Sequence, residues 1–107
     1  MHSVLSAATT SYRVEVSGWD NSPAFFVEKS DLEWAESGEK LVILHHALRQ
    51  GTILFVRLLQ PISPDRSHPV PYTAELVSRP NFVEWEYRLT QVVPRQVETA
   101  RLVRDFE

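Results

Sequence analysis

The chain has no cysteine, so it can form no disulfide, offers no thiolate nucleophile and supplies no cysteine-based zinc site. Glycine is nearly as scarce. Gly18, Gly38 and Gly51 lie too far apart to build a phosphate-cradling loop or a dinucleotide fingerprint. Lysine occurs only at Lys29 and Lys40, and the formal net charge is −3. Non-specific nucleic-acid binding draws on clustered cations to release counterions, so this balance argues against a nucleic-acid partner. Apolar runs such as Ile53 to Val56 fall far short of the ~20 residues of a membrane-spanning helix, which argues against a membrane partner. Residues 1–10 lack the positive start and the apolar stretch of a signal peptide and read as a flexible tail. With no cysteine to protect, a reducing, cytoplasmic setting is expected. No Gly-x-Ser-x-Gly elbow or Ser/His/Asp order is present, and no catalytic residue is assigned.

What is present is strand patterning. At 107 residues there is material for one core and not two, so residues 11–107 are expected to form a single domain. Tyr12 to Trp19 alternates, with Tyr12, Val14 and Val16 on one face and Arg13, Glu15 and Ser17 on the other. Asp20-Asn21-Ser22-Pro23 carries turn chemistry, and Ala24 to Glu36 reads as a longer strand with a bulge expected near Ser30-Asp31. Lys40 to Leu48 and Thr52 to Leu59 follow, joined by Arg49-Gln50-Gly51 in what reads as a tight hairpin. Pro61 to Pro71 holds four prolines and reads as the one long loop. Tyr72 to Ser78 and Phe82 to Val92 give two more strands. The period then changes: Pro94 suits a first helical turn, and Val97, Ala100, Val103 and Phe106 recur every three residues. The fold class expected is all-β, a small six-stranded antiparallel split barrel with one short C-terminal helix at about 94–106.

Three clusters invite chemistry. His45-His46 suggests a metal, yet neighbours in a strand point to opposite faces, so one packed and one solvated imidazole is the expectation and no metal site is assigned. Glu28, Asp31, Glu33, Glu36 and Glu39 lack calcium-loop spacing and read as a solvated strand face. Trp19, Trp34 and Trp85 offer stacking surfaces, but their acidic neighbours favour core or interface packing over bases.

The order of parts resembles a PilZ-type domain: a strand, a long second strand ending in a Gly turn, a third strand, Leu48-Arg49-Gln50-Gly51-Thr52 opening Ile53 to Leu58, then Ala74-Glu75-Leu76-Val77, a last long strand and a C-terminal helix. Val14 to Asp20 and Phe26 to Ser30 are similar to the opening of divergent bacterial members. The resemblance spans about residues 11 to 106. It implies a signalling barrel, with cyclic di-GMP as the ligand where two motifs are kept. The first, Arg-x-x-x-Arg, falls on Thr9-x-x-x-Arg13, and the second, Asp/Asn-x-Ser-x-x-Gly, falls on Glu33-Trp34-Ala35-Glu36-Ser37-Gly38. Only Arg13 and Gly38 match, and these are the ligand-binding residues if nucleotide binding is retained. Thr9 cannot form the charge-assisted fork of an arginine, Ala35 lacks the serine hydroxyl, and Trp34 and Glu36 add bulk and negative charge. The expectation is therefore a non-catalytic PilZ-like interaction module, monomeric or weakly dimeric, with an unidentified protein partner and no cofactor. The alternatives are a cyclic di-GMP receptor with a degenerate site, or an SH3-like or oligonucleotide-binding-fold adaptor.

Overall fold

Val14 and Val16 alternate with Arg13, Glu15 and Ser17, and a backbone that turns successive side chains to opposite faces must put the valines on the inside. The computed structural model, which describes residues 9–59 and 68–93, follows that rule in six strands. They are β1 (Thr9–Trp19), β2 (Phe25–Ala35), β3 (Lys40–Leu44), β4 (Ile53–Leu58), β5 (Val70–Asn81) and β6 (Glu84–Gln91). All neighbours are antiparallel, in the order β1-β2-β3-β6-β5-β4, and β4 closes onto β1. Closure gives every strand a neighbour on both sides, although β2 and β3 pair only from Leu32 to Trp34. Val14, Val16, Leu32, Val42, Leu44 and Leu54 are sealed inside. Burying each such side chain contributes about 1.5–3 kcal/mol before the entropy of ordering it is set against that gain. Gly18 occupies an inward position because nothing larger fits: a Cβ there would stand 2.9 Å from Leu54 Cδ2 and 3.2 Å from the Ile53 carbonyl oxygen.

The β1–β2 hairpin is stitched by Asp20, whose Oδ1 accepts the backbone N–H groups of Ser22 and Ala24, both at 2.9 Å. The β2–β3 turn has the three-residue form with Gly38 in the left-handed region at φ 97°, closed by Gly38 N–H donating to the Ala35 carbonyl at 2.8 Å.

Several expectations need correction. β3 and β4 do not form a hairpin: β3 lies between β2 and β6, and β4 lies between β1 and β5. The Gly51 turn exists, with φ 79° and Thr52 N–H donating to the Arg49 carbonyl at 3.1 Å, but it sits inside a connection between two strands that are not neighbours. β3 accordingly ends at Leu44 rather than Leu48. No bulge interrupts β2, which pairs with β1 without a register shift from Ala35 to Phe25. The irregularities fall in β5 instead, between Leu76 and Ser78 and between Ser78 and Asn81. Pro71, expected in the loop, is the second residue of β5, and Pro80 lies in its irregular half, both places where a missing N–H is tolerated. Phe82, expected to open the last strand, forms a two-residue turn with Val83. β1 starts at Thr9, inside the stretch read as tail. No helix occurs among the described residues, and the helix expected at about 94–106 lies outside them.

Candidate functional site: the β2–β3 seam and the β5–β6 hairpin tip

β2 and β3 pair only from Leu32 to Trp34. Further along, side chains take the place of ladder hydrogen bonds. The Ser30 hydroxyl donates to the Ile43 carbonyl at 2.7 Å. Beyond it the Glu28 carboxylate receives the backbone N–H of His45 at 3.0 Å. The same carboxylate also holds His45 Nδ1 at 2.6 Å and His46 Nδ1 at 3.0 Å. Glu28 is therefore no part of a solvated acidic face: its side chain is only 12% exposed. The two histidines also escape the opposite-face rule, because the strand has already ended, and both turn to one carboxylate. His46 stacks on Phe26 with ring centroids 4.1 Å apart, while His45 stays half in water.

His45 Nε2 lies 3.4 Å from Glu84, so both ring nitrogens face carboxylates and the imidazolium is favoured. The Glu28 hydrogen bond raises the His45 pKa above its ordinary value, against a smaller opposing effect of burial.

This seam opens as a cleft of about 340 Å³. Five carboxylates line it, from Glu28, Asp31, Glu33, Glu84 and Glu86, against the cations Arg13 and Lys29 and the His45 ring. Arg13 is at the edge, donating to Asp31 at 3.3 Å. Gly38 lies elsewhere, in the turn beyond β2, where it lines a separate shallow hollow with Ser37, Glu39 and Arg88. The two motif residues are thus not brought into one depression. Arg88 there is held by Glu39 at 2.7 Å and Glu75 at 2.8 Å. Among the described residues, no group of three or more histidine and acidic side chains has the geometry to hold a metal ion. The Ser30 hydroxyl is engaged by the Ile43 backbone carbonyl, and the Ser11 hydroxyl donates to the cleft-lining Glu33 at 3.1 Å.

The tip of the β5–β6 hairpin is the second feature, and sequence reasoning missed it by reading Phe82 as strand. Arg79 stands over the Trp85 ring at 4.2 Å and donates to the carbonyls of Phe82 at 2.9 Å and Glu84 at 3.2 Å. Asn81 accepts the Val83 N–H at 2.9 Å and donates to Glu84 at 2.9 Å. This network fixes the turn without any residue at positive φ. Phe82 is left 93% exposed and Val83 61% exposed. The legible signal was Asn81, a turn former immediately ahead of the apolar pair Phe82-Val83. Of the tryptophans, Trp34 packs edge-on against Tyr12 and under the Lys40 ammonium, and Trp19 packs against Phe25 on the outside.

Comparisons with protein-family models, with curated proteins and with solved structures find no match to this chain. The class defined by the fold is a six-stranded closed antiparallel barrel.

Proposed function

We propose that this chain is a non-catalytic, protein-binding regulatory module of bacterial signalling, PilZ-like in its plan of strands and cytoplasmic. In this reading it works without cyclic di-GMP and inserts the Phe82-Val83 tip into an apolar pocket of its partner. The observation that carries the reading is the construction of that tip. The Arg79 fork and the Asn81 amide are committed to holding a turn whose two central side chains are apolar and stand in water. A large aromatic group on a support that is already ordered loses little entropy on docking, which is the physical character of an interface hot spot. The seam supports the other half of the proposal. A dianionic nucleotide would meet five carboxylates there, and Arg13 is already drawn to Asp31.

Phe82→Ser tests this reading directly. Because Phe82 makes almost no contact with the barrel, the variant should unfold within about 0.5 kcal/mol of wild type. It should nevertheless lose a partner that immobilised wild-type protein recovers from native extract. Undiminished recovery by both Phe82→Ser and Val83→Ser would sink the proposal.

A further inference from the structure

Trp34 near the end of β2, Leu58 at the end of β4, Val70 at the start of β5 and Gln91 at the end of β6 surround a cavity of about 380 Å³. Leu32 and Val56 of the core form its inner wall. An engineered cavity of about 150 Å³ takes up benzene, so this one has room for an apolar body of roughly ten to fifteen heavy atoms. The mouth of a β-barrel is a recurrent seat for small ligands. The Phe82-Val83 turn joins β5 and β6 at their other ends, so the cavity is apart from the proposed partner contact.

Two tyrosines, Tyr72 and Tyr87, are buried in the core at 6% and 3% exposure. The Tyr87 hydroxyl donates to the His46 carbonyl and accepts the Leu48 N–H. The Tyr72 hydroxyl has no hydrogen-bond partner among the described residues. A buried hydroxyl without a partner costs free energy that a phenylalanine would not, so packing alone does not account for it. No side-chain oxygen or nitrogen among the described residues is both sealed from solvent and unpaired. This hydroxyl therefore reaches open space, and the space that Tyr72 lines is the cavity. Burial raises the Tyr72 pKa above the ordinary phenol value, which keeps the proton on the oxygen and makes the group a donor.

The Lys40 ammonium stands beside two of the lining rings, 4.3 Å from the centre of Trp34 and 6.0 Å from that of Tyr72. Gln91 and His68 line the cavity as further polar groups, and no carboxylate is among its described lining residues, whereas five line the seam. We infer that this barrel end binds a small carboxylate with an apolar body, a compact aliphatic or aromatic acid. The body fills the space between Leu32, Val56, Leu58 and Val70. The carboxylate accepts a hydrogen bond from the Tyr72 hydroxyl and faces the Lys40 ammonium, so that one ligand satisfies the unpaired donor and the cation together.

Octanoate is the probe, titrated into the isotope-labelled full chain and followed by backbone amide shifts. Binding should saturate with a Kd below about 1 mM, with the largest shifts at Val70, Tyr72 and Gln91. Octanol, which has the same apolar body without the charge, should bind about tenfold more weakly. Tyr72→Phe keeps the ring and removes the donor, so it should melt at or above the wild-type temperature while losing about tenfold in octanoate affinity. Lys40→Gln should lose several-fold, by a margin that shrinks as salt is added. Phe82→Ser should bind octanoate as wild type does, which separates this site from the partner contact. No saturation up to ~10 mM, equal affinity for octanol, undiminished binding by Tyr72→Phe or by Lys40→Gln, or shifts centred on the exposed Trp19 and Phe55 would each overturn the inference.

Discussion

Glu28 is the residue on which the seam turns. Its position on β2 is inward, where a carboxylate is costly unless hydrogen-bonded, and the backbone of His45 and both imidazoles meet that need. The raised His45 pKa has a definite thermodynamic sign. A group that holds its proton more tightly when folded contributes stability that is fully present below its unfolded pKa, near 6.5, and is lost as pH rises through the folded value. Wild type should therefore lose its advantage over His45→Gln as pH is taken from 5.5 to 8.5. The side chain is 56% exposed, so solvent screening keeps the effect within about 1 kcal/mol. Melting temperatures of the two proteins across that range check it; a gap that does not change with pH would show that the Glu28–His45 pair is idle.

Among the elements, the connection between β3 and β4 carries the information that a list of strands lacks. Strands that are not neighbours need a crossing segment, and this one is tied down at two points. Asn21 N–H donates to the Ala47 carbonyl at 2.8 Å. The Tyr87 hydroxyl both donates to the His46 carbonyl at 3.0 Å and accepts the Leu48 N–H at 2.9 Å. Leu48 packs against the core beneath them. Burial pushes the Tyr87 phenol above its ordinary pKa, an effect that the Leu48 hydrogen bond opposes, so the hydroxyl stays protonated and can serve both partners. Tyr87→Phe keeps the ring and strips both bonds, leaving the Leu48 N–H without its partner. The expected loss is about 1–3 kcal/mol of unfolding free energy, read from urea denaturation. A change below about 0.5 kcal/mol would mean that the connection is held by Leu48 packing alone.

For the whole molecule, charge placement matters more than its total. A net charge of −3 is modest, but the register gathers five carboxylates along the seam and leaves Trp19, Phe25, Val27, Ile53 and Phe55 exposed elsewhere on β1, β2 and β4. The scarcity of free cations near Arg13 leaves a dianionic ligand without the forked donors that would offset its desolvation. Titration of the protein with cyclic di-GMP in a calorimeter should give no saturable heat at ~10 μM, a concentration at which a receptor of micromolar affinity would be largely occupied. A saturable isotherm that Arg13→Ala abolishes would restore the nucleotide-receptor reading.

The linear sequence was sufficient to indicate six strands and the inner face of β1, because a period of two is a local property of the chain and Tyr12, Val14 and Val16 obey it wherever their partners lie. It was also sufficient for the turns at Gly38 and Gly51, since positive φ is a cost of the single residue. Which strands pair is a property of closure. Arg49-Gln50-Gly51 looks the same whether it joins neighbours or spans the barrel, and only tertiary structure placed β3 beside β6 and β4 beside β1. The same holds for the sites. Glu28 stands 17 residues from His45 and 18 from His46, and the same carboxylate holds both rings. Their convergence follows from register and from where a ladder stops, quantities that no window of sequence contains.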